Sequence, residues 1–434
     1  MFTTLKIDSN QLEVGMYVAQ LDRPWLETPF LFQGFYIRSQ DEITELQKYC
    51  KNVFVHRESI PEDSKLNPRS RARPDDEKVK SESRKTSRFS LRNLFRPSEP
   101  PESDDQFART GTFYHDSATL KEELQTASGV HEEAVNTVHD VMNQLSNSEN
   151  LDVPRLRTAV TPMVNSILRN PAALACLVRM QKKGSYIYRH SLASSVWATI
   201  LGRHIGLSRD DLNVIALGAM LLDVGKTRIP DGILQKPQEL SDTEAKLMRR
   251  HVEFGLDILH ESKDVDPRVI EMVAYHHERY NGTGYPKGLK GSELPVFGRI
   301  AGVVDAYDAM ITPRPYAEPM SSYDALRQLR VLADVEFQAE IIDQFTQAIG
   351  VFPTGTLVEL NTGDVAVVTR QNKIRRLRPE VMIIMDSDKK LLESFKVMDL
   401  NSESVTDNGM HSLWIERGLP PGSFGIDPTE LYLD

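Results

Sequence analysis

The sequence predicts a mainly α-helical protein with a small mixed α/β domain in front and a short β extension behind. Three observations carry that prediction. Between about 155 and 350, amphipathic segments recur at helical spacing, separated by polar breaks and by Pro230, Pro237, Pro267, Pro286, Pro295, Pro313 and Pro315. Residues 1–60 mix short β-branched and aromatic runs with one helical stretch. From Thr356, two apolar runs flank Asn361-Thr362-Gly363-Asp364, a strong hairpin signature.

The elements follow in order. Gly15 to Leu21 and Phe35 to Ile37 read as strands, and Val53 to Val55 as a closing strand. Asp41 to Cys50 reads as a helix because Ile43, Leu46 and Cys50 share helical spacing. Residues 61–112 change character: Pro, Ser and charged residues dominate, a composition that buries too little surface to offset ordering entropy. This stretch reads as a disordered basic linker. From Lys65 to Arg96 it holds eleven Lys/Arg against four Asp/Glu, with Phe89, Leu91, Leu94 and Phe95 interspersed. A solvated spacer and a patch for an acidic partner or membrane surface both fit.

Residues 113–168 read as a helical connector. Leu120, Leu124, Ala127, Val130, Ala134, Val138, Val141 and Leu145 form an apolar stripe, a packing surface that could also serve a homodimer. Residues 169–335 form the main helical domain. Residues 336–400 read as a helix and β-hairpin extension with a third strand at Val381 to Met385, and 401–434 as a tail.

The chain has 434 residues, enough for two or three domains, and a formal net charge of −10. That charge argues against a general nucleic-acid coat. Its two cysteines, Cys50 and Cys176, exclude a disulfide framework and a cysteine zinc site. The N-terminus lacks a signal-peptide run, and no stretch approaches the length of a transmembrane helix. A soluble, cytoplasmic protein is expected.

The chemistry concentrates in a few places. Tyr275-His276-His277-Glu278-Arg279 precedes the loop Asn281-Gly282-Thr283-Gly284-Tyr285-Pro286, and neutral imidazoles are good ligands for transition metals. His190 opens one predicted helix, and Asp223 ends the apolar helix Val214 to Leu222. Lys226 follows Asp223 by three residues, and His251 opens another helix. Asp305 sits among small and apolar neighbours on a helix and is expected to face inward. A carboxylate inside an apolar core is costly unless paired or metal-bound. A carboxylate can bridge two cations, and such a pair acidifies water and clamps a phosphate. Taken singly, each residue has an ordinary structural reading. The joint order His, Asp-x-Gly-Lys, His, His-His-Glu, Asp is much harder to assign to chance.

On these motifs the region from about 170 to 330 resembles an HD-GYP domain, a subgroup of the HD metal-dependent phosphohydrolases. The matching segments are Asp223-Val224-Gly225-Lys226, Ile229 to Leu234, His276 to Pro286, Arg299 to Met310 and Arg314-Pro315-Tyr316. Residues 1–60 resemble the small domain that often precedes it in bacteria, and the hairpin region resembles its short C-terminal extension. The resemblance implies hydrolysis of the bacterial messenger cyclic di-GMP to pGpG or GMP, with two divalent metal ions, Fe or Mn. It implies metal ligands at His190, Asp223, His251, His276, His277 and Asp305, with Asp223 bridging. Lys226 and Arg314 would contact substrate phosphates, Asp308 would orient them, and Tyr285 would offer a contact surface. Gly282 and Gly284 would supply unusual backbone angles. The same loop is linked in that family to substrate selectivity and to diguanylate cyclase partners, and the family to motility and biofilm control.

The sequence departs from the family at one position. The residue before Asp223 should be the histidine of the HD pair, and it is Leu222. Tyr186 replaces the carboxylate that supplies a third cation in some members, so two are expected. Three readings follow: a phosphodiesterase with a weakened binuclear centre, an impaired module that binds cyclic di-GMP without turnover, and a scaffold recruiting partners through the linker and the 116–150 helix.

Overall fold

A computed structural model describes residues 4–22, 35–37, 40–56, 112, 114–147, 150–180, 186–314, 317–372, 375–401, 405–406, 409–410 and 413–426. The basic linker at 61–112, including Phe89, Leu91, Leu94 and Phe95, lies outside them apart from residue 112, as do Pro315 and Tyr316. Two compact units are present, Met1–Arg88 and Phe89–Asp434.

The first unit is an antiparallel sheet with one helix. Its strands are β1 (Thr4–Asp8), β2 (Tyr17–Leu21), β3 (Phe35–Tyr36) and β4 (Asn52–His56), in the order β1-β4-β2-β3. Helix α1 (Gln40–Tyr49) contributes Ile43 and Leu46 to a core with Ile7, Met16, Val18, Val53 and Val55. Strand β1 was not foreseen. Its alternation is short, with Ile7 buried and Leu5 exposed, and its first residues carry few apolar side chains.

The second unit is a helical assembly followed by a sheet. Helix α2 (Leu120–Ser146) starts on a capping box between Thr119 and Glu122, and α3 (Val153–Arg169) starts on Asp152. Ala127, Ala134, Val138 and Val141 of α2 are buried in the same core as α3 and the helices after it. The predicted connector is therefore part of the helical core, and these four residues of its stripe are spent within the chain. A buried carboxylate locks it there: Glu123 accepts from Arg169 at 2.6 and 2.8 Å and from Ser166 at 2.7 Å.

Next come α4 (Pro171–Met180), α5 (Tyr186–His204), α6 (Arg209–Met220), α7 (Asp231–Leu234), α8 (Asp242–Arg249), α9 (His251–Glu261), α10 (Pro267–Tyr275), α11 (Val296–Ile311), α12 (Ser322–Val331) and α13 (Ala339–Ile349). Helix α5 is buried from His190 to Gly202 and packs on α6 and α11. Among the described residues, no helix is long and apolar enough to cross a membrane.

The final sheet is larger than a hairpin. Strands β5 (Leu357–Leu360), β6 (Val365–Arg370), β7 (Glu380–Met385) and β8 (Leu391–Asp399) form consecutive antiparallel pairs. Strands β9 (Val405–Thr406) and β10 (Gly409–Met410) pair with each other, and β11 (Ile415–Gly418) joins the free edge of β5. The expected tail thus returns a strand to the sheet. Strand β8 escaped prediction because Leu391, Phe395 and Val397 alternate with polar residues and stay exposed.

Candidate metal centre

The site forms where α5, the end of α6, the start of α9, the end of α10 and the middle of α11 converge. Asp223 sits in the turn after α6, capping a 3₁₀ turn from Val224 to Arg228. Gly225 is obligatory in that turn, since a Cβ there would meet the His251 carbonyl oxygen at 1.9 Å and the Gly255 nitrogen at 2.4 Å. The turn and the start of α9 therefore touch backbone to backbone, and Asp223 faces His251.

Six predicted ligands meet there in two groups that share Asp223. Asp223, His251, His276 and His277 place one candidate ligand atom each within 4.8 Å of one another, and His190, Asp223 and Asp305 do the same. His190, Asp223, His251, His276 and Asp305 are all less than a tenth exposed, and His277 is half-buried.

The histidines are held by their far nitrogens. His251 Nδ1 donates to the Met248 carbonyl at 2.7 Å, and His276 Nδ1 donates to the Val273 carbonyl at 2.9 Å. A carbonyl only accepts, so each Nδ1 carries the proton and each Nε2 carries a lone pair. Burial keeps both rings neutral, pushing His251 down to about 4 and His276 down as well. His277 is held far down by burial and by His276 beside it. The two Nε2 atoms lie 3.3 Å apart.

His190 is held differently. Its Nδ1 donates to Asp308 Oδ2 at 2.7 Å, and its Nε2 lies 2.9 Å from Asp305 Oδ1 and 3.7 Å from Asp223 Oδ2. Burial alone would lower its pKa, but the hydrogen bonds to Asp305 and Asp308 prevail and push it up to about 10. Burial opposes ionisation of Asp223, but Lys226 and the nearby histidines hold its carboxyl well below the usual range. Asp305 is held down in the same way, chiefly by His190.

These residues fit divalent cations. Two neutral imidazole lone pairs facing each other at 3.3 Å repel unless a cation or a proton lies between them. Asp223 Oδ1 is buried without a hydrogen-bond donor, at 3.5 Å from His251 Nε2. The imidazole and carboxylate donors suit iron, manganese or zinc better than a purely oxygen-seeking ion. His190 shows the arrangement usual for a ligating histidine, one nitrogen facing the site and the other on a carboxylate.

The remaining predicted residues surround this centre. Lys226 Nζ lies 2.6 Å from Asp223 Oδ2 with its side chain 17% exposed, so it borders the donor cluster from the open side. Tyr285 stacks on His277, ring centroids 4.8 Å apart, with the Arg249 guanidinium 5.3 Å from its own centroid. Tyr186 stacks on His190 at 5.4 Å, and Arg314 lies 5.6 Å from the Tyr186 ring. A cation and a tyrosine therefore flank each end of the cluster.

Two expectations change. Asp308 is 1% exposed, and both of its oxygens are taken by Trp197, His190 and Thr312. Its carboxylate supports the His190 ring from behind. In the loop, Gly282 has φ +82°, as expected, but Gly284 is required for space: a Cβ there would meet Arg279 N at 2.3 Å and Glu278 Cα at 2.4 Å.

Sequence reasoning passed over Glu278. Its buried carboxylate accepts the backbone N–H groups of Lys287, Gly288 and Leu289 at 2.7 to 3.1 Å. The glutamate after the paired histidines thus ties the loop carrying Tyr285 to the helix end carrying His276. An acid beside a glycine-rich loop with many unpaired N–H groups was the available signal. Arg249 and Trp197 gave no comparable signal.

Comparison with known proteins agrees with this geometry. Residues 171–341 match the HD domain, 4–156 a domain of unknown function (DUF3391), and 357–406 the KOW domain associated with HD domain. The chain is 28% identical to cyclic di-GMP phosphodiesterase PA4108 of Pseudomonas aeruginosa, over 93% of this chain and 90% of that protein. It is 35% identical to the cyclic di-GMP phosphodiesterase response regulator RpfG of Xanthomonas campestris, over 37% of this chain and 44% of that one. It is 33% identical to 3'3'-cGAMP-specific phosphodiesterase 2 of Vibrio cholerae, over 39% of this chain and 32% of that one. With the donor cluster assembled around an intact His276–Pro286 segment and a relative matched almost end to end, residues 171–341 are an HD domain of the HD-GYP type, preceded by the small N-terminal domain and with leucine in place of the HD histidine.

Proposed function

We propose that this protein is a metal-dependent phosphodiesterase that opens cyclic di-GMP to pGpG and onward to GMP. The observation that supports it most is the pair of donor groups sharing Asp223, with Lys226 at their open side. His251, His276, His277 and Asp223 would hold one cation, and His190, Asp305 and Asp223 the other; iron and manganese suit the donors best. When bound, such cations polarise a phosphate and acidify water. Lys226 would exchange its pairing with Asp223 for a phosphate oxygen, and Arg314 would meet the second phosphate. Tyr285 and Tyr186 offer ring faces for the guanine bases, and Arg249 adds charge beside Tyr285. The named substrates of the relatives, cyclic di-GMP and 3'3'-cGAMP, support a cyclic dinucleotide as the substrate class.

Leu222 favours a second reading. It is 1% exposed within the helical core and brings no donor to the His190 group. That group has three protein donors and the His251 group four. An impaired module that binds the dinucleotide without turnover follows if the three-donor group stays empty.

One preparation tests both. Metal-free protein is loaded with Fe(II) or Mn(II), its metal content measured, and hydrolysis of cyclic di-GMP followed beside 3'3'-cGAMP. Two ions per chain with linear product support the enzyme. One ion, tight dinucleotide binding and no product support the binding module.

A further inference from the structure

We infer that Trp197, braced by Arg179, is a positioning residue for the second cation group: it fixes the carboxylate that fixes His190. This rests on the reading of His190 as a ligand.

The chain of contacts is short and buried. Trp197 is fully buried in α5, two turns after His190, and its indole N–H donates to Asp308 Oδ1 at 3.0 Å. The other oxygen, Asp308 Oδ2, accepts hydrogen bonds from His190 Nδ1 at 2.7 Å and from the Thr312 hydroxyl at 3.2 Å. An ionised carboxylate in an apolar interior needs donors on both oxygens. Without the indole N–H, Oδ1 would lose its donor and the carboxylate could rotate about its Cβ–Cγ bond, taking the His190 Nδ1 acceptor with it. The ring would then lose the hydrogen bond that aims Nε2 between Asp223 and Asp305.

Trp197 is itself held from two sides. The Arg179 guanidinium lies 4.9 Å from the indole centroid. Arg179 also donates to the Tyr307 hydroxyl at 2.9 Å, and Tyr307 stands edge-on to Trp197 with ring centroids 5.6 Å apart. The other end of the guanidinium donates to the Thr354 carbonyl at 3.2 Å, in the segment that leads into β5. A tryptophan serving only as core filling needs no acidic partner. Here its one polar atom meets the one carboxylate behind His190.

This arrangement is peculiar to one cation group. His251 and His276 rest on backbone carbonyls, Met248 in α8 and Val273 in α10, so a side-chain change at Trp197 leaves them in place.

The test is a Mn(II) titration of the full-length metal-free chain, wild type against Trp197→Phe. Calorimetry and the Mn(II) paramagnetic signal together give one affinity for each group. The weaker affinity should fall about tenfold or more, the size usual for changes behind a metal ligand. The tighter affinity and the metal-free melting temperature should hold. Asp308→Asn, alone and combined with Trp197→Phe, should be non-additive, because both act through one carboxylate. If Trp197→Phe fails to fold, Arg179→Met carries the test, with a smaller loss in the same direction. Unchanged weaker affinity in a folded variant overturns the proposal. So does equal weakening of both groups together with a lower metal-free melting temperature, which would mean packing alone. If the wild type binds no Mn(II), the ligand reading fails by itself. The His190 ring-proton resonance in metal-free protein then decides: loss of its exchange protection in Trp197→Phe upholds the positioning role, and retention overturns it.

Discussion

The two donor groups around Asp223 are built by opposite means. In the His251 group, His251 and His276 lean on main-chain carbonyls three residues earlier, Met248 and Val273. Once α8, α9 and α10 exist, those rings are aimed. In the His190 group the anchor is a side chain, Asp308, itself held by Trp197 and Thr312. One group is written into helix ends, and the other depends on residues more than a hundred positions apart in sequence. Leu222, next to the shared Asp223 in sequence, brings no donor to either group. Backbone anchoring resists single substitutions, whereas side-chain anchoring accumulates their effects.

Four experiments press on this contrast. Asp223→Asn should strike both groups at once: bound metal and cyclic di-GMP turnover should drop at least about a hundredfold, since a shared ligand matters more than the outer contacts worth 10–100-fold. Retention of two ions per chain would break the account of a shared carboxylate.

Leu222→His should act on one group only. It should strengthen the weaker affinity by about 10–100-fold while leaving the tighter one unchanged. The same change buries an imidazole among apolar neighbours, costing the metal-free chain about 1–3 kcal/mol. Added metal should therefore raise the melting temperature more in the variant than in the wild type. If added metal moves both proteins equally, position 222 does not face the His190 group.

Glu278→Ala should separate loop from metal. Removing the acceptor of three N–H groups frees the segment that carries Tyr285. We expect KM for the dinucleotide to rise about tenfold, equivalent to 1.4 kcal/mol of binding, with metal content intact. Lost metal would show that Glu278 also supports His276 and His277.

The smallest effect concerns pH. His251 is held near 4 in the folded metal-free chain, against 6.5 for the ordinary group. Its folded pKa is depressed, so the unfolded chain binds the proton more readily. The stability it contributes is present above pH 6.5 and is lost as pH falls toward 4. The full shift corresponds to at most about 3 kcal/mol. His190 has the opposite sign: its folded pKa is raised from 6.5 to about 10, so its contribution is fully present below pH 6.5 and is lost as pH climbs from there through 10. Melting temperature of metal-free protein between pH 7 and 4.5 should fall by a few degrees. His251→Gln should flatten part of that slope; an unchanged slope would place the ring's proton elsewhere.

What was legible in the sequence follows the same division. The candidate ligands could be picked out because His276-His277 and Asp223 to Lys226 are local patterns with distinctive chemistry. Helix α5 and the β5–β6 hairpin were readable from periodicity and turn residues. The anchors were hidden for two reasons. Main-chain carbonyls such as Met248 carry no residue signature. The Trp197–Asp308 contact joins residues 111 positions apart, and nothing in either local segment announces it. Asp308 was placed near the site correctly, but its direction depends on how α11 packs against α5. Residues 113–168 looked like a connector because a lone amphipathic stripe does not say whether its cover comes from this chain or another.

Gly225 carries one further consequence. With no room for even a methyl group between it and the His251 carbonyl, the spacing of Asp223 from His251 is a main-chain dimension, like the gauge of a rail. Side chains around it can be exchanged without altering that gauge. A change at position 222 therefore leaves the distance between Asp223 and His251 set by the backbone, and a donor introduced there would meet that spacing unaltered.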